Sequence, residues 1–183
     1  MACLVLLLAT APFTARAADL SPLIGSWRFD ATRSTELSPW TGYDLTIAVS
    51  GDQVTLDRHL GSGRREFSDT MTVDTVRPST AQPSTELSST VIPVAMWPDN
   101  RHLGAYLGGD KTKRVHAAWL DAGRILRLST DLVLATSQGD RSVNILSNYQ
   151  VSASGTRLTL TELRSTRHRP VVYVFNRVGA DKK

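Results

Sequence analysis

The sequence predicts an all-β protein, an antiparallel up-and-down barrel of about eight to ten strands. Three observations carry that expectation. The chain of 183 residues holds only four Glu, four Lys and four Gln against 38 Ser plus Thr, and helices draw on the straight-chain residues. Apolar residues alternate with polar ones along most of its length, the period of a half-buried strand. Short turn signals separate these segments, which favours a sequential meander over crossover connections.

The elements follow in order. Tyr43, Leu45, Ile47 and Val49 alternate with Asp44, Thr46, Ala48 and Ser50, and Gly51-Asp52 makes a turn. Val54, Leu56 and Leu60 return as the second arm of a hairpin, and Gly61-Ser62-Gly63 breaks the chain. Phe67, Met71 and Val73 continue the pattern, with Asp69 as an interruption. Arg77 to Ser89, with six Ser or Thr and two Pro in 13 residues, reads as a long surface loop. Val91 to Trp97 contains Pro93, which suits an edge strand. Pro98 to Lys113 reads as loop with one short strand around Ala105 to Leu107. Val115, Ala117 and Trp119 then alternate, followed by Leu126 to Leu134 across one or two strands. Val143, Ile145, Tyr149 and Val151, then Leu158 and Leu160, give two more, and Arg164 to Arg169 is read as the next turn. Val171, Tyr173 and Phe175 close the chain.

Residues 1–17 read as a signal peptide. Leu4 to Leu8 are apolar, and Ala15-Arg16-Ala17 offers small residues at a cleavage site, although no basic residue precedes the apolar run. Residues 18–183 then form a single exported domain, in a periplasm or outside the cell. Cys3 leaves with the leader, so no disulfide or thiol chemistry is expected. The net charge of +4 is mild and scattered, which excludes a nucleic-acid arm. The polar off-face residues argue against a membrane-spanning barrel, whose outer face must be apolar.

Gly25-Ser26-Trp27 opens the first strand, after a short turn at Leu20 to Ile24, and Arg177 lies on the last strand. This arrangement resembles the lipocalin-like (calycin) pattern, in which a Gly-x-Trp on the first strand meets an Arg from the last. The resemblance implies a lipocalin-like barrel closed by Gly25, Trp27 and Arg177, with an indole stacked on a guanidinium. It extends to small secreted bacterial lipocalin-like proteins of mostly unassigned activity. The Thr-Asp-Tyr loop motif of well-known lipocalins is absent, Thr130-Asp131-Leu132 being a partial echo. Arg28 to Ala31 replace the glycines that follow the Trp in haem-binding nitrobindin-type barrels, so haem is not implied and no cofactor is expected.

The inward aromatics Tyr43, Trp119 and Tyr149 are the candidate ligand-binding residues. An eight-stranded barrel either fills with side chains or holds one small ligand. His59, His102, His116 and His168 lack metal-ligand spacing, so no metal is expected. Asp57 and His59 with Ser68 or Thr70 form a conceivable but weak triad, and Gly-x-Ser-x-Gly is absent. Gly108-Gly109-Asp110-Lys111-Thr112 reads as a turn rather than a phosphate loop. Arg164, Arg167, His168 and Arg169 read as a solvated basic hairpin.

The expected function is binding of a small, mainly apolar ligand in the lumen, with no reaction and no catalytic residue. The alternative is an interaction module with a filled core, docking a protein or glycan through Trp40, Trp97 and Tyr106 or the basic hairpin. An enzyme needs converging polar residues inside the barrel, which the pattern does not predict.

Overall fold

The computed structural model describes residues 22–35, 37, 39–75, 88–94, 106–107 and 111–179. The proposed leader, most of the loop at 77–89, Trp97, His102, Gly108 to Asp110 and the last residues lie outside them.

The strands are β1 Gly25–Phe29, β2 Gly42–Ser50, β3 Gln53–Ser62, β4 Arg65–Asp74, β5 Ser88–Pro93 and β6 Tyr106–Leu107. They continue as β7 Thr112–Leu120, β8 Ile125–Thr136, β9 Gly139–Val151, β10 Arg157–Arg164 and β11 Val171–Arg177. All pairings are antiparallel, in the order β4-β3-β2-β1-β11-β10-β9-β8-β7-β5, with β6 paired to β8 off this path. The result is a nearly closed up-and-down barrel. Its seam lies between β4 and β5, which share no ladder. Side chains bridge one end of the seam. The Asp74 N–H donates to Thr90 Oγ1 (2.9 Å), and Ser88 Oγ donates to the Asp74 carbonyl.

The alternation explains the core. Leu45, Ile47, Val54, Leu56, Leu60 and Val73 are buried inward while their sequence neighbours face out. Several boundaries differ from expectation. Ser88 and Ser89 belong to β5 rather than to a loop, and Thr112 and Lys113 open β7. β3 runs through Gly61 and Ser62, which the sequence suggested as a break. Asp69 does not interrupt β4. It faces inward opposite Arg58, with which it forms an ion pair. A charge on an inward position looks like a break in a pattern that scores only apolar residues.

The chain ends meet where β1 pairs with β11, placing Trp27 opposite Arg177. The Arg177 guanidinium carbon lies 4.1 Å from the Trp27 ring centroid. The same guanidinium donates to the carbonyls of Gly155 (2.7 Å), Ile24 (2.9 Å) and Pro22. Trp27 Nε1 donates to the Leu23 carbonyl at 3.1 Å, and Leu23 is fully buried. Gly25 has φ +135°, and a Cβ there would stand 2.7 Å from the Arg177 Nη1. Both the backbone angle and the close approach require glycine.

After β1, Asp30 caps a short 3-10 turn, Ala31–Arg33, by accepting from the Thr32 N–H at 3.1 Å. Ser34 Oγ accepts from the Val174 N–H and Thr35 Oγ1 from the Val172 N–H, which extends the tie to β11. Leu37 and Trp40 then turn into the core.

Gly25→Ala is expected to lower stability by about 1–3 kcal/mol, through strain at positive φ and displacement of Arg177. A urea unfolding curve checks this. An unchanged midpoint would show that Arg177 is not held against Gly25.

Candidate functional site

Cross-strand register builds the inner wall in rows. Trp119, Leu126, Tyr149, Leu160 and Tyr173 lie in one row across β7 to β11. Ala117, Leu128, Ser147, Glu162 and Val171 form the next, and Val115, Thr130, Ile145 and Arg164 a third. Tyr43 and Arg58 come from β2 and β3 on the other side.

Tyr43 is buried in an aromatic cluster. Its ring centroid is 5.0 Å from that of Phe175 and 6.2 Å from that of Tyr173, both edge-to-face, and Phe29 meets the same two rings. Burial, reinforced by the neighbouring Tyr149 phenol, holds the Tyr43 phenol well above its usual value near 10, while Arg58 pulls in the other direction. It is therefore a neutral hydroxyl at physiological pH. Trp119 and Tyr149 are also buried and share the first row. Among the described residues, Tyr43 Oη and Trp119 Nε1 are buried without a hydrogen-bond partner.

A polar belt crosses the lumen beside these rings. Arg58, Lys113, Thr130, Ser147, Glu162 and Arg164 are all buried, and they line a cavity of about 20 Å³ together with Tyr149 and Met71. Such a volume holds about one water molecule. Arg164 Nη2 donates to Glu162 Oε2 at 2.7 Å, with only 1% of the Arg164 side chain exposed. The belt separates the main apolar core from a small second cluster of Leu132, Leu134, Val143 and Ile145.

Two expectations are corrected here. Arg164 is not part of a solvated turn: it is the last residue of β10 and points into the lumen, whereas Arg167, His168 and Arg169 are exposed. Polar residues do converge inside the barrel, contrary to the pattern as read. The missed signal was the alternation itself. Arg58 stands at period two between Leu56 and Leu60, and Glu162 and Arg164 continue Leu158 and Leu160.

The polar candidates of β3 and β4 lie on the outer face, apart from the lumen. His59 Nδ1 is 2.9 Å from Ser68 Oγ, and Asp57 Oδ1 accepts from Thr70 Oγ1 at 2.7 Å, both on the exposed outer face. His116 is half-buried and His168 exposed. No group of His, Cys, Asp and Glu among the described residues could hold a metal ion. Trp40 is not an exposed loop aromatic: it is nearly buried within the main core. An open groove of about 500 Å³ runs over it, lined by Phe29, Thr35, Leu37 and Pro39. Tyr106 lies in β6. No helix among the described residues is long and apolar enough to cross a membrane.

No protein-family model matches the chain, and no curated protein matches it. Among solved structures, it is similar to a variant of the REP1-NXSQ fatty acid transporter, at 8% identity and a TM-score of 0.42, over 86% of this chain and 99% of that one. A likeness of that order does not bear on activity.

The buried pair predicts a coupled mutant series. Glu162→Leu is expected to destabilise by about 3–5 kcal/mol, because it strands the Arg164 charge. Adding Arg164→Met should recover most of that loss, as read from urea unfolding. A loss below about 1 kcal/mol in the single variant would place the pair in contact with solvent. The Tyr43 phenol predicts a pH effect. Its contribution to stability is complete below the unfolded value near 10, and is lost as pH rises above it toward the higher folded value. Unfolding midpoints measured from pH 8 upward should therefore fall less steeply in Tyr43→Phe than in the natural protein.

Proposed function

We propose that the protein is a carrier that binds a small, mainly apolar molecule inside its barrel and performs no covalent chemistry on it. The observation that supports this reading is the pair of buried, unpartnered groups on the inner wall, Tyr43 Oη and Trp119 Nε1. A buried hydroxyl or indole N–H without a partner is destabilising, and a ligand oxygen can relieve both. The neighbouring wall is apolar, with Ala117, Leu126 and Leu128 beside Trp119 and Tyr149. A cavity near 20 Å³ does not accommodate such a ligand as it stands. Entry therefore re-seats side chains, and Met71 is the most adaptable of the cavity wall. In this reading Gly25, Trp27 and Arg177 close the barrel rather than touch ligand, and residues 1–17 direct export to a periplasm or the medium. The docking alternative loses two of its handles, because Trp40 and Arg164 are both buried.

Native mass spectrometry of protein purified from its own host, followed by solvent extraction, tests the reading directly. A released apolar compound of defined mass supports it. A bare protein mass, with no binding of the neutral dye Nile red, would sink it. The unpartnered hydroxyl makes a second prediction. Tyr43→Phe should raise the stability of the empty protein by about 1 kcal/mol, while weakening dye or ligand binding severalfold.

A further inference from the structure

We infer that the belt is an anion site, and that the molecule carried is an amphiphilic acid whose charged head group meets Arg164. This deepens the carrier reading and rests on it. Arg164 is the last residue of β10, with 1% of its side chain exposed, and it lines the small cavity between Ser147, Thr130 and Tyr149. Its Nη2 is engaged by Glu162. Its Nε and Nη1 are buried and have no hydrogen-bond partner among the described residues. A guanidinium has donors only, so whatever completes it must be an acceptor. Carboxylate and similar oxyanions match its planar fork, with two parallel N–H···O bonds.

The surroundings favour a negative head over a neutral one. Arg58 and Lys113 line the same cavity, so three cationic side chains meet there, and Glu162 is the carboxylate among the described residues of its wall. Asp69 engages Arg58 from β4. The Ser147 and Thr130 hydroxyls add short polar groups able to donate to an oxyanion. Beyond the belt the wall returns to the row that holds Leu126 and Leu160, against which a hydrocarbon body would lie once side chains re-seat. Head and body are thereby addressed by different rows of one sheet.

The test compares three probes with one eight-carbon chain, octanoate, octanol and octylammonium, each displacing Nile red from the full chain at neutral pH. Octanoate is expected to bind at least tenfold more tightly than octanol, with octylammonium weakest. In the double variant Glu162→Gln/Arg164→Gln, which removes both charges, octanoate and octanol should bind alike. Equal affinity of the two in the natural protein would overturn the anion site and leave the carrier reading standing. A preference for octylammonium would overturn it in favour of Glu162 as the head-group contact. Octanoate preference that survives in a folded double variant would remove Arg164 from the site. Failure of all three probes and of the dye to bind would overturn the carrier reading with it.

Discussion

The first and last strands of this chain are short, and everything inside the barrel depends on their being paired. β1 has five residues and β11 seven. Arg177 secures the junction by doing three things with one side chain. It covers the Trp27 ring, it satisfies carbonyls of the entering chain at Pro22 and Ile24, and it reaches Gly155 in the preceding turn. A lysine could supply the charge there but not a planar fork that stacks and donates in several directions at once. Closure at this point turns a long meander into an enclosure, and enclosure gives each inward position an environment of low polarity.

That environment raises the stakes for polar groups. A lumen filled with Leu and Val alone would be simpler to stabilise, since a buried ion pair frequently contributes no more than apolar residues of the same volume. Among the described residues, the Arg58–Asp69 and Arg164–Glu162 ion pairs share the middle of the barrel with Lys113 and the hydroxyls of Thr130 and Ser147. Their presence splits the apolar core into a large and a small cluster. Departures of this kind from a consistent core are where function is expected to sit. The phenol of Tyr43 and the indole of Trp119 belong to the same pattern, because each is placed by its strand in a site where its polar atom has no hydrogen-bond partner among the described residues.

The strand count, the antiparallel meander and the inward faces were legible in the sequence, because a period of two survives in β2, β3, β7 and β9 with few exceptions. Tyr43, Trp119 and Tyr149 could be placed inside on that basis alone. The belt was not read, for a specific reason. Arg58, Asp69, Glu162 and Arg164 occupy inward positions, but a charged residue is ordinarily scored as outward or as a break. Position along the strand was the better guide than residue type. Arg164 was further disguised by its neighbours, because Arg167, His168 and Arg169 are a true exposed turn and the four look like one cluster in one dimension. Pairings between distant strands, such as β1 with β11, cannot be read from periodicity. They came within reach only through the Gly25–Trp27 and Arg177 signature.

The seam gives the molecule an asymmetry of motion. Around most of the circumference, parting two strands means breaking a continuous ladder of backbone hydrogen bonds. Between β4 and β5 the described residues form no such ladder, and Asp74, Ser88 and Thr90 bridge one end of the seam. The margin of the seam is thereby less tied than β8 and β9, whose twelve- and thirteen-residue strands pair with each other along their length. The tie across it is made by the Ser88 and Thr90 hydroxyls on the Asp74 backbone, so side chains hold the seam where ladders hold its neighbours.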